Sequence, residues 1–117
     1  MSLELVMRAL VSSGLTQTDA EVYIFLAPKT PQKARDIAFA LKMKKQQLYS
    51  CLKSLQDKGI VNCTGEHPTL FSAVAIEKVI DSLIKANLEE AQHMEENRKK
   101  ILSSWRSMIK ENTHHRE

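Results

Sequence analysis

Apolar residues recur at helical spacing in five stretches of this chain, separated by glycine, proline or short polar turns. Leu3, Leu5, Val6, Ala9, Leu10 and Val11 predict a short amphipathic helix stopped at Ser13-Gly14. Glycine is the usual residue at a left-handed helix end. Thr16 opens a second helix, and Asp19 three residues on makes a capping-box-like pair with it. Ala20, Val22, Tyr23, Phe25 and Leu26 supply its apolar surface, and Pro28 ends it. Pro28-Lys29-Thr30-Pro31 reads as an extended connector with room for a short strand, because each proline biases its predecessor away from helix. A third helix is expected from about Gln32 to Leu41, burying Ala34, Ile37, Ala38 and Leu41.

Only Lys42 and Met43 separate that helix from the next, predicted over residues 44–58 and ended by Lys58-Gly59. Leu48, Cys51, Leu52 and Leu55 form its apolar stripe, with Ile60 closing it. The opposite face carries Lys45, Gln46, Gln47, Ser50, Lys53 and Ser54, with no acid among them. Two helices joined so tightly, the second basic and polar outside, make a helix-turn-helix. Lys42 occupies the turn position that usually holds glycine. A left-handed conformation there costs a lysine about 1 kcal/mol or more, so a tightened or irregular turn is expected. Residues 60–64 and 70–74 are strand-like, and Gly65-Glu66-His67-Pro68-Thr69 between them is rich in turn formers. A β-hairpin after a helix-turn-helix is a wing.

The last stretch predicts one helix from Ile76 to about Glu111, about 54 Å long at 1.5 Å per residue. Ile76, Val79, Ile80 and Leu83 are expected to pack on the preceding domain. Beyond them a heptad emerges. Ile84, Ala91, Arg98 and Trp105 share one seam position and Asn87, Met94, Ile101 and Met108 the other, with Leu88, Leu102 and Ile109 widening the stripe. So long a helix cannot bury Ile101, Leu102, Trp105 and Ile109 against its own small domain, and homodimerisation through this face is the simplest remedy. The expected architecture is therefore mainly α with a small β-hairpin: a winged helix-turn-helix domain over residues 1–75, then a long coiled-coil-like dimerisation helix over 76–117.

Charge sharpens the picture. Residues 29–58 hold eight Lys or Arg against two Asp, a net of +6, which leaves −3 for the rest of a +3 chain. Such asymmetry marks a polyanion-facing segment attached to one that faces none. Lys44 and Lys45 each cost roughly 0.3–1 kcal/mol at a helix N-terminus, a sign that adjacent phosphate would reverse. Lys44, Lys45 and Lys53 suit phosphate contact, Gln46, Gln47 and Ser50 suit base edges, and Tyr49 either donates to phosphate or packs on the wing. Lys33, Arg35 and His67 complete the expected DNA-facing set. The competing reading of this face is an ordinary solvated surface.

No catalytic constellation is visible, and neither an enzyme nor a cofactor is expected. Glu90 and His93 sit one turn apart but without a second set, so they read as solvated and not as metal ligands; His114 and His115 read as a frayed end. Two cysteines, Cys51 and Cys63, make no disulfide framework, and pairing them as a redox switch is the lesser alternative. With no apolar run of about 20 residues and no cleavable signal, the expected location is a reducing cytoplasm.

Several motifs together resemble the TrmB-type transcriptional regulators. Gly14-Leu15-Thr16 with Asp19-Ala20-Glu21-Val22-Tyr23 is similar to that family's "GLT…EA..Y" opening, and Ala34-Arg35-Asp36-Ile37-Ala38 to its "AREIA". Leu48-Tyr49, Leu52, Ser54-Leu55 and Lys58-Gly59-Ile60-Val61 resemble "VY..L.SLE.KGLV", and His67-Pro68 with Phe71 and Ala73 resembles "RP..Y.A". The resemblance covers about Leu10 to Val79 and implies a DNA-binding winged helix of the kind archaeal regulators of sugar or central metabolism carry. The chain departs from the pattern at Lys42 and Lys44, where Gly and Pro are frequent, and at Thr69, Leu70 and Ser72, where the wing is often basic. Longer members add a sugar-binding domain; only a helical tail follows here, so sugar binding is not carried over. Two functions are in play. The first is a dimeric regulator reading double-stranded DNA; the second is a winged-helix module that binds protein in a transcription or chromatin assembly.

Overall fold

A computed structural model describes residues 3–115, and their side chains through residue 112. The elements run α1 (Leu3–Ser12), α2 (Gln17–Leu26), β1 (Gln32–Lys33), α3 (Ala34–Leu41), α4 (Lys45–Asp57), β2 (Val61–Thr64), β3 (Leu70–Ala73), α5 (Ile76–Glu96) and α6 (Arg98–His115). Contacts divide the chain into two compact units between Ile84 and Lys85, a boundary that falls inside α5.

The first unit is a winged helix. Its core gathers Leu10 and Leu15, Val22, Tyr23 and Leu26 of α2, Ile37 of α3, Leu48, Leu52 and Leu55 of α4, Phe71 of β3, and Val79 and Leu83 of α5. Ile80, expected in that core, is 47% exposed, because the inward side of the helix is taken by Ile76, Val79 and Leu83. Only Leu10 of α1 is buried; Leu3, Leu5, Val6 and Val11 are exposed.

The sheet order is β1-β3-β2, all antiparallel, so β3 is central. Val61 pairs with Ala73 and Cys63 with Phe71, as a hairpin requires. The third strand corrects the expected start of α3. Gln32 and Lys33 were assigned to helix, but they pair with Phe71 and Leu70, and α3 begins at Ala34. Pairing with β3 gives the backbone of Gln32 and Lys33 hydrogen-bond partners in the sheet.

Three helices of this unit end alike. At Gly14, Lys42 and Gly59 the backbone has positive φ, and the next N–H reaches back to a carbonyl five residues earlier: Leu15 to Leu10, Met43 to Ala38, Ile60 to Leu55. Two of these positions hold glycine, for which positive φ is cheap. Lys42 instead holds φ 54, ψ 45, so the turn is regular and carries the strain itself; the expected irregularity is not seen. Lys42→Gly is therefore expected to raise stability by about 1 kcal/mol, read as a higher urea midpoint at unchanged slope. A lower midpoint would show that the lysine contributes more at this helix end than its backbone costs.

The single long C-terminal helix is also corrected. It is interrupted at Asn97, giving α5 and α6. The Asn97 side-chain amide donates to the His93 carbonyl at 2.9 Å, competing with the backbone ladder at that turn. The ladder resumes at once: Asn97 N–H reaches the His93 and Met94 carbonyls, and Ile101 N–H reaches that of Asn97.

Candidate nucleic-acid interface

The α3–α4 turn is held from within. Leu48, Leu52 and Leu55 are fully enclosed, and Cys51 beside them is 6% exposed, so one face of α4 is committed to the core. Everything on the other face follows from that commitment. Gln46, Ser50 and Lys53 lie at i, i+4 and i+7, with Lys45, Gln47 and Tyr49 beside them, and all six are exposed. Tyr49 is 51% exposed, so it is not buried under the wing.

The start of α4 differs by one residue from expectation. Lys44 is the N-cap, with φ −72 and ψ 143, and its side chain cannot accept a hydrogen bond from the first turn. Lys33 stands in the same relation to α3. The first N–H groups of both helices thus lack a side-chain cap, and their partial positive charge adds to that of the lysines. Neither Gln46 nor Gln47 has a hydrogen-bond partner among the described residues, so neither serves as a cap.

Not every cation of the +6 segment is available. Lys29 Nζ lies 3.9 Å from the centre of the Phe25 ring and donates to the Phe25 carbonyl at 3.1 Å. Lys58 Nζ is 4.0 Å from Asp19, and Arg35 is 3.7 Å from Asp36. Lys33 is half-buried on β1. Lys42, Lys44, Lys45 and Lys53 have no ion pair among the described residues, and they cluster at the turn and along α4. His67 is exposed at the tip of the β2–β3 turn, where the His67–Pro68 peptide is cis. No Lys or Arg occurs in the wing between Val61 and Val74.

Two features of the site escaped the sequence reading. Asp19 forms the expected capping box with Thr16, yet it is also buried, at 5% exposure. Its carboxylate accepts a hydrogen bond from Cys51 Sγ at 3.0 Å and faces Lys58, tying the start of α2 to the middle and end of α4. Burial and the neighbouring carboxylate push the Cys51 thiol up to about 12. It stays a protonated donor, which argues against a redox partnership with the exposed Cys63; both thiols are free. The second feature is Phe39, 87% exposed on the outer side of α3. It is out of phase with Ile37 and Leu41, a signal the sequence did contain.

A family model described as the sugar-specific transcriptional regulator TrmB matches residues 10–77. The chain belongs to the TrmB family. The match runs from the end of α1 to the first turn of α5. None of the curated proteins matches its sequence. Among solved structures, the TrmB-family chain is similar to the ST1889 protein of the archaeon Sulfolobus tokodaii, at 21% identity and a TM-score of 0.59 over 71% of this chain and 87% of that one. It is also similar to a possible transcriptional regulator from Methanosarcina mazei Go1, at 15% identity and a TM-score of 0.63 over 86% and 88%. A third likeness is to S. aureus MepR, solved as a DNA complex, at 18% identity and a TM-score of 0.55 over 83% and 86%. At these identities the neighbours show the fold alone, a winged helix.

The predicted dimerisation residues are all on α5 and α6. Ile84, Leu88, Ala91, Met94, Ile101, Leu102, Trp105, Met108 and Ile109 are all exposed, Leu88 at 66% and Trp105 at 55%. Glu90 and His93 are exposed too, and among the described residues no group of three His, Cys, Asp or Glu is placed to hold a metal ion. The side chains of His114 and His115 lie outside the described residues. No helix among the described residues is long and apolar enough to cross a membrane.

Proposed function

We propose that this chain is a sequence-specific, DNA-binding transcriptional regulator that acts as a homodimer in the cytoplasm, with α4 in the major groove. The observation that carries this reading is the outer face of α4: lysines at its start and middle, neutral hydrogen-bonding side chains between them, no acid before Asp57 in its last turn, and no ion pair among the described residues for Lys44, Lys45 or Lys53. In a family of transcriptional regulators, that is the face a helix-turn-helix offers to a groove. MepR, of the same fold, binds DNA. Lys44, Lys45 and Lys53 are assigned to phosphate, Gln46, Gln47 and Ser50 to base edges, and Lys33, Arg35, Tyr49 and His67 to the flanks. The reading assigns no catalytic role, cofactor, metal or sugar site, and it spans a DNA-binding part over residues 1–75 and a dimerisation part over 76–117.

Electrophoretic shift of random duplex tests it. Binding at low salt that falls steeply toward physiological salt, with a preferred site retained, is the expected result. No shift under either condition would favour the protein-interaction module, to which a wing without Lys or Arg and the exposed Phe39 already point.

Lys45→Ala and Lys53→Ala should each weaken binding to every sequence similarly and flatten the salt dependence by about one unit of slope. A loss confined to one operator would move that lysine to base readout.

The dimer is tested separately. Sedimentation at micromolar concentration should find two chains, and removing everything after Asn87 should leave a monomer that binds one half-site weakly. An intact protein that sediments as one chain would end this part of the reading.

A further inference from the structure

The C-terminal helices carry a charge polarity that the DNA-binding role does not use. From Glu89 to Glu96 there are four glutamates and no Lys or Arg; from Arg98 to Lys110 there are five Lys or Arg and no acid. The apolar seam runs through both blocks, and its large residues are exposed. Acid and base meet at Asn97, where the helix is interrupted, but the backbone bonds on either side are kept, so the seam holds its phase across the junction.

We infer that a second copy of this chain lies antiparallel along α5 and α6, in one register that pairs the acidic block of each copy with the basic block of the other. The inference rests on the homodimer reading and adds to it the direction and alignment of the partner. Reversing one strand sets each residue of the first seam position against one of the second. One alignment uses the whole seam. Ile84 meets the partner's Met108, Asn87 the partner's Trp105, Ala91 the partner's Ile101 and Met94 the partner's Arg98. Two-fold symmetry repeats each layer, so all eight seam residues are matched and none overhangs. The small Ala91 faces the branched Ile101, and Leu88 comes beside the partner's Leu102.

Electrostatics separate this arrangement from its parallel alternative. In a parallel pair, Arg98 meets its own copy in the seam. Flanking positions five residues apart also face each other, which sets Glu90 against the partner's Glu95 on both sides. The acidic block then runs beside the acidic block and the basic beside the basic. In the antiparallel register Arg98 lies next to the partner's Glu95 and the acidic block runs along the partner's Arg98, Lys99 and Lys100, while Glu95 facing its own copy across the two-fold is a like-charge contact at the centre. Like charges brought together destabilise an interface and opposite ones fix its register.

Crosslinking decides the direction. In a full-length Cys63→Ser background, chosen because Cys51 is buried, Ile84→Cys and Met108→Cys are prepared separately; both positions are exposed, so neither change disturbs the core. Each variant is treated with a short bismaleimide alone, and again after the two are unfolded and refolded together. The expected result is a covalent dimer from the mixture and none from either variant alone. Crosslinking of Ile84→Cys to itself would make the pair parallel and overturn the inference. A protein that sediments as a dimer but crosslinks in no combination would place the interface elsewhere and overturn it equally. A monomer in sedimentation would instead remove the homodimer reading on which the inference stands.

Discussion

Gln46→Ala is expected to cost about 1–3 kcal/mol of affinity on the preferred duplex and little on random DNA. The glutamine lies in the first turn of α4, the part of a recognition helix that reaches base edges. Its amide presents a donor and an acceptor together, which matches the N6 and N7 edge of adenine. Being neutral, it is a poor generic phosphate anchor, so its loss should spare binding that comes from charge alone. Its side chain is exposed and has no hydrogen-bond partner among the described residues, so the substitution should leave stability unchanged within about 0.5 kcal/mol. Gln47 precedes the buried Leu48 and is the weaker candidate of the pair. Side-by-side titrations of preferred and random duplex give the answer. Equal losses on both would show that Gln46 positions the protein and does not read sequence.

The second large effect is expected on the other side of the same helix. Leu52→Ala should destabilise the winged helix by about 2–5 kcal/mol, a sizeable part of a small domain's total stability of about 5–15 kcal/mol. Leu52 is 1% exposed, between Leu48 and Leu55 on the stripe that holds α4 against the core. Removing three side-chain carbons there loses their transfer free energy and leaves a cavity that rigid neighbours cannot close. Urea unfolding should show the loss as a lower midpoint. Tyr49→Ala, three residues earlier on the exposed face, should leave that midpoint nearly unchanged while weakening DNA binding. A Leu52→Ala midpoint equal to that of the unaltered protein would mean that α4 is not anchored by this stripe.

These opposite expectations for neighbouring residues show what periodicity can reveal. Leu48, Cys51, Leu52 and Leu55 declare their burial by spacing, because a helix that packs on one side must repeat its apolar residues near 3.6. The outer face of α4 then follows by exclusion, as do the exposed seam residues of α5 and α6. The capping box of Thr16 and Asp19 was legible for a similar reason, since both partners lie within one turn. Asp19 as a link to α4 was not, because Cys51 lies 32 residues away and nothing local marks the meeting.

By itself, then, the sequence determined the helices, the wing, the polar face of α4 and the family resemblance, all of which depend on residues within a few turns of each other. The tertiary structure decided the rest. Gln32 and Lys33 became a strand because β3 offered a free edge to them. Lys42 took a left-handed conformation because α3 and α4, both packed on one core, require the chain to reverse at that point. Lys58 at the end of α4 was drawn to Asp19 at the start of α2 and so withdrawn from the basic surface. In each case a backbone or side-chain group was claimed by a partner that folding brought to it, and helical spacing carries no record of that partner.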